Sequence, residues 1–185
     1  LTKIPHGSEN CQGLAEYCVN FARKIGLDFY RDSSDNVVIY KPGTGSLEQT
    51  PAIILQGHLD MVCQKTTESN INFLTDPLKL KFDGDFLTAE GTTLGGDNGI
   101  AVAMVLAILE DNSISHPPIE AVFTSDEEIG MIGAGKLDMS VLNSKRMVNI
   151  DAEEDDTVIV SCAGGSDFNI KIPISYIPHK GTLIT

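Results

Sequence analysis

Ala52-Ile53-Ile54-Leu55, followed almost at once by Gly57-His58-Leu59-Asp60-Met61-Val62, decides how the chain is read. An uninterrupted apolar run with no polar alternation marks a strand buried on both faces, the habit of parallel sheets. Residues 119–124 and 147–150 read as two further strands of that kind. Between the first two lies a helical pattern over residues 99–110, with Ala101, Val102, Val105, Leu106 and Leu109 on one face. Buried strands separated by a helix predict an α/β fold, with a mixed, mainly parallel central sheet flanked by helices.

Upstream of that unit, residues 12–25 place Leu14, Tyr17, Cys18, Phe21, Ala22 and Ile25 at helical spacing. Ser8 or Asn10 is a suitable cap for its start, and Gly26 stops it. Residues 27–31 and 37–40 flank the turn-rich Asp32-Ser33-Ser34-Asp35-Asn36 and predict a hairpin; Pro42-Gly43-Thr44-Gly45-Ser46 is a surface loop. Residues 78–82 and 86–88, around Asp83-Gly84-Asp85, predict an antiparallel excursion. Near the end Gly164-Gly165 reads as a hinge, with alternation over 167–173 (Phe168, Ile170, Ile172) beyond it. The expected division is therefore 1–164 and 165–185, the second piece being the opening of another domain.

The 185 residues are 42% hydrophobic, enough for a packed core. Thirteen Lys and Arg against 26 Asp and Glu leave a net charge of −13. Such a field repels phosphate backbones and anionic lipid, so neither nucleic acid nor a membrane is expected as a partner. No stretch approaches the roughly 18 apolar residues of a spanning helix, and the first thirty residues show no secretory pattern. A cytoplasmic location is expected. Cys11, Cys18, Cys63 and Cys162 form no C-x-x-C pair and read as reduced structural thiols.

Chemistry gathers where the buried segments end. His58 and Asp60 follow the first strand; Asp97 stands in Gly95-Gly96-Asp97-Asn98-Gly99 at the head of the helix. Asp126-Glu127-Glu128 follows the second strand, and Asp151, with Glu153 and Glu154, the third. Strand carboxyl ends in open parallel sheets form the ligand crevice, so these groups are expected to converge there as a metal site. Taken singly, each has an ordinary reading: a structural histidine, a solvated acidic pair, an acidic turn. Spacing of two after a strand lets the Asp60 carboxylate reach the His58 ring from behind, fixing its tautomer. The glycine-rich turn contains neither G-x-G-x-x-G nor Gly-Lys-Ser/Thr, and Asp97 would repel a phosphate, which argues against nucleotide binding.

These blocks, in this order, resemble the aminoacyl-histidine (cytosolic non-specific) dipeptidases of the co-catalytic zinc metallopeptidases. The likeness rests on Gly57-His58-Leu59-Asp60-Met61-Val62, the stretch Gly91 to Gly99, Thr124-Ser125-Asp126-Glu127-Glu128-Ile129-Gly130-Met131 and Ile150-Asp151-Ala152-Glu153-Glu154. It extends from Ile4-Pro5-His6-Gly7-Ser8 to Cys162-Ala163-Gly164-Gly165. The resemblance implies hydrolysis of small dipeptides, Xaa-His included, by a water activated between two zinc ions, or other divalent metals such as cobalt or manganese. It implies that His58 and Asp151 hold one zinc, Glu128 the other, and Asp97 bridges both. Glu127 is then the general base and Asp60 the carboxylate behind His58; a cis peptide is implied at Asp97–Asn98. Residues 1–164 become the first part of the catalytic domain and 165–185 the start of a lid or dimerisation domain, through which the complete protein forms a homodimer. A final His ligand and the residues that grip the substrate carboxylate are expected beyond Thr185, so that this fragment alone is inactive. Two alternatives stay open: another amide hydrolase of the same clan, a deacetylase or carboxypeptidase, and a non-catalytic metal-binding domain.

Overall fold

Helix α1 (Gln12–Ile25) leads into strands β1 (Asp28–Arg31), β2 (Val37–Lys41) and β3 (Ile53–His58), the hairpin β4 (Leu80–Asp83) and β5 (Phe86–Ala89), then helix α2 (Gly96–Glu110), β6 (Ile119–Thr124), the short α3 (Ile132–Lys136) and β7 (Met147–Asn149). This computed structural model describes residues 1–152, 156–161, 164–166, 168–175 and 181. Five strands form one sheet in the order β1-β2-β6-β3-β7. Strand β3 runs parallel to β6 on one side and to β7 on the other, while β1–β2 and β2–β6 are antiparallel. The mixed α/β sheet expected from the apolar runs is therefore present, its three parallel strands side by side.

Period-two alternation in β2 decides how the two faces are filled. Val37 and Ile39 join Ala121 and Phe123 on the face covered by α1 (Leu14, Ala15, Cys18, Val19, Ala22) and α2 (Val102, Val105, Leu106, Leu109). Val38 points the other way, to Ile54 and Val122, beneath Leu137, Val141 and Leu142. Both long helices thus lie on one face, and the segment around α3 covers the other.

Several boundaries differ from expectation. Strand β3 does not stop at Leu55 but continues to His58, because Gly57 and His58 still pair with Phe123 and Thr124. Strand β7 ends at Asn149 and its Met147 and Val148 are exposed, since among the described residues it has a partner on one edge only. Tyr17, placed on the buried helix face by spacing, is 41% exposed. Neither Ser8 nor Asn10 caps α1: the N-cap is Cys11, whose side chain makes no capping bond, while Ser8 donates to Asp60 and Asn10 to the Leu74 carbonyl. Gly26, left-handed at φ 74°, closes the helix as expected. Regular helix geometry in α2 begins after Asp97 and Asn98, whose connecting peptide is cis.

The chain divides into two compact units, Leu1–Glu153 and Glu154–Thr185. Described residues of the second unit carry no helix or strand, so the alternation at Phe168, Ile170 and Ile172 does not become a paired strand among them. Glu153, Glu154, Cys162, Asp167 and His179 lie outside the described residues. No described helix is long and apolar enough to cross a membrane.

Burial in the α1 packing pushes the Cys11 and Cys18 thiols up to about 12, whereas Cys63 is exposed. Because the thiolate is the reactive form, iodoacetamide at pH 8 should alkylate Cys63 of the native protein well before Cys11 or Cys18. Peptide mass mapping over time checks this; equal rates at the three positions contradict the packing of α1.

Candidate metal centre

Parallel alignment of β3, β6 and β7 brings their carboxyl ends to one edge of the sheet. His58, the last residue of β3, is 1% exposed. Beyond it the chain turns, with the Leu59 N–H on the Thr124 carbonyl (2.7 Å) and the Met61 N–H on the His6 carbonyl (3.1 Å). That turn buries Asp60. The segment after β6 supplies Glu127 and Glu128, the segment after β7 supplies Asp151, and the head of α2 supplies Asp97.

The His58 ring organises these groups. Its Nε2 stands 2.9 Å from Asp97 Oδ1, 3.7 Å from Asp151 Oδ1 and 3.9 Å from Glu127 Oε2. On the other side Nδ1 is 3.0 Å from the main-chain carbonyl of Asp60 and 3.5 Å from its carboxylate. Asp60 thus lies behind the ring, with its main-chain carbonyl, rather than the carboxylate the sequence suggests, as the nearer acceptor. Its carboxylate also accepts from the Ser8 hydroxyl (2.7 Å) and from the N–H groups of Glu127 (2.9 Å) and Glu128 (3.2 Å). Burial alone would raise the Asp60 pKa, but His58 and these three donors outweigh it and hold it at about 2.

Charge around the ring is unbalanced. Burial disfavours protonated His58, yet Asp60, Asp151 and Asp97 override it and hold the ring pKa at about 9. Glu128 and Asp151 shift upward, by burial first and then by repulsion from Asp97 and Glu127, against the pull of His58. Two sets of three potential donors lie within 4.8 Å of one another: His58 with Asp97 and Glu128, and His58 with Glu127 and Asp151. An imidazole nitrogen with several carboxylate oxygens is a donor set for zinc and similar divalent ions. A cation there would also relieve the carboxylate repulsion. The residues present thus fit a divalent metal.

All six residues singled out in the sequence, His58, Asp60, Asp97, Glu127, Glu128 and Asp151, meet at this edge. Asp126 does not join them: left-handed at φ 52°, it turns its carboxylate to the Glu9 N–H (2.7 Å) and the Cys11 thiol. Two further residues take part: Ser8, which the sequence places as a helix cap, and Asn98, to which the sequence assigns no role beside Asp97. Asn98 Oδ1 accepts from the His58 N–H (3.1 Å), while its Nδ2 donates to the Ile150 carbonyl (2.7 Å) and Asp151 Oδ1 (3.0 Å). A polar residue between an acidic residue and a helix was the available clue.

Similarity to known proteins agrees with this geometry. The cytosol non-specific dipeptidase of Escherichia coli (strain K12) is 42% identical over 168 residues, covering 91% of this chain and 35% of that protein. The crystal structure of aminoacylhistidine dipeptidase from Vibrio alginolyticus superposes with a TM-score of 0.80 at 43% identity, covering 83% of this chain and 31% of that one. A tripeptidase structure from Staphylococcus aureus shares the fold at 24% identity, with a TM-score of 0.66 over 83% of this chain and 41% of its own. The chain thus spans about a third of the length of the two dipeptidases. Residues 54–171, from near the start of β3 to beyond Asp151, match the model of peptidase family M20/M25/M40, and the chain belongs to that family.

Proposed function

We propose that the protein containing this chain is a metal-dependent dipeptidase acting on small peptides, Xaa-His dipeptides among them. The observation that carries the reading is the convergence of His58, Asp97, Glu127, Glu128 and Asp151 around one buried imidazole backed by Asp60. A 42% identical relative that is a cytosol non-specific dipeptidase supports the substrate class and a cytoplasmic location. In this reading His58 and Asp151 hold one zinc, Glu128 the other, and Asp97 bridges. Glu128 lies in one set of three with His58 and Asp97, and Asp151 in another with His58 and Glu127, so carboxylates for two ions stand within reach of the same ring. Residues 1–164 form the first part of the catalytic domain, and 165–185 open a lid or dimerisation domain that makes the complete protein a homodimer.

Bound at these residues, two divalent ions would lower the pKa of a water molecule toward neutrality and polarise the scissile carbonyl. Glu127 handles the proton. Its N–H is anchored on Asp60 Oδ1 and its Oε2 lies 3.9 Å from His58 Nε2, so the carboxylate faces the reacting centre. There it takes a proton from the attacking water at Oε2 and returns it to the departing amine. Asp60 keeps Nδ1–H of His58 occupied, so that Nε2 is the nitrogen presented to the metal.

Glu127→Gln in the complete protein should leave zinc binding intact and lower kcat by about 10²–10⁴-fold, the usual loss of a general base. Steady-state dipeptide hydrolysis at saturating zinc checks it, and near-normal turnover contradicts the role. Asp60→Asn should lower zinc affinity by about 10–100-fold, as loss of a partner behind a histidine ligand does. Competition with a chelator measures this; an unchanged affinity means that Asp60 does not tune the ligand.

A further inference from the structure

Asn98 is 3% exposed and uses every polar atom of its side chain. Its carboxamide oxygen accepts from the main-chain N–H of His58, at the end of β3. One amide hydrogen goes to the carbonyl of Ile150, just past β7, and the other to the carboxylate of Asp151. The partners leave no ambiguity about which end is oxygen: an acceptor must face the His58 N–H, and a donor must face the Ile150 carbonyl. The side chain therefore ties three elements together at the site. It also touches both residues assigned to one zinc, His58 through its backbone and Asp151 through its carboxylate.

Space for this contact is made by Gly57. A Cβ at that position would stand 2.5 Å from Asn98 Oδ1 and 2.9 Å from the Ala101 Cβ, so any larger residue displaces the carboxamide. Two positions far apart in sequence thus serve the same placement. We propose that Asn98 is a positioning residue for the metal centre: it sets the orientation of the Asp151 carboxylate relative to His58 Nε2, in a gap kept open by Gly57. Substitution by Ala strands the His58 N–H and the Ile150 carbonyl without partners and frees Asp151 to rotate. Substitution by Asp keeps the shape but sets a carboxylate against both the Ile150 carbonyl and the Asp151 carboxylate.

The inference rests on the metal reading above, and one titration separates the two. Zinc affinity of the complete protein is measured by chelator competition for wild type, Asn98→Asp, Asn98→Ala and Gly57→Ala. Thermal unfolding of each metal-free protein is followed in parallel, and titrations are run below the lowest midpoint. The expected result is about a 10–100-fold loss of affinity in Asn98→Asp and Asn98→Ala, and a loss in the same direction in Gly57→Ala, where Asn98 is chemically intact but displaced. Wild type that binds no zinc overturns the metal reading itself. Wild type that binds while the folded variants bind equally well, whatever their melting temperatures, overturns the positioning role alone and leaves Asn98 as a structural brace. Asn98→Asp, closest in shape to the parent side chain, decides the matter if Asn98→Ala does not fold.

Discussion

Asp60 holds a negative charge where almost no water reaches, and the site is assembled around the need to satisfy it. A buried carboxylate is tolerable only when its oxygens are paired. Its donors come from Ser8 before α1, from the ring of His58 and from the two N–H groups that follow Asp126. Those bonds tie the amino-terminal segment, the end of β3 and the turn after β6 to one point. The turn cannot shift without stranding the charge, so the positions of Glu127 and Glu128 follow from Asp60 rather than from their own side chains.

The sheet supplies the rest. Because β6, β3 and β7 run parallel, their carboxyl ends bring Glu127 and Glu128, His58, and Asp151 together from segments distant in sequence. The head of α2 adds Asp97 from the same edge, and Asn98 ties that helix to β3 and β7. Four carboxylates close to one imidazole repel one another, which adds to burial in shifting Glu128 and Asp151 upward, while attraction of the protonated ring to Asp60, Asp151 and Asp97 raises the basicity of His58 against its burial. A proton on the ring offsets part of that charge; a divalent cation offsets more of it and uses the same atoms. The fit of these residues to a divalent metal thus rests on their charge and donor atoms, independent of any resemblance.

Much of this was legible in the sequence, for identifiable reasons. Spacing revealed α1, and apolar runs revealed β3 and β6, because both patterns report burial directly. His58, Glu127, Glu128 and Asp151 stand after buried strands and Asp97 at the head of α2, and the direction of the chain sends those positions to one edge. What stayed hidden depended on contacts across the fold. Gln56 and Gly57 end the apolar run although pairing with β6 continues to His58. The apolar character of β7 gave no sign that its edge would be exposed. Ser8 and Asn98 are small polar residues in turns, where local capping is the commonest use, and only the structure shows that both bond into the site. Among the adjacent acids 126–128, a single left-handed residue decides that Asp126 turns to Glu9 while its neighbours do not.

Anomalous diffraction at the zinc absorption edge, from crystals of the complete protein grown with zinc, tests the central claim most directly. A metal centre at this edge of the sheet predicts an anomalous peak about 2.0–2.1 Å from His58 Nε2, with Asp97 and Asp151 in its coordination sphere. Zinc-saturated protein with no peak at His58, and with Nε2 still bonded to Asp97, contradicts it.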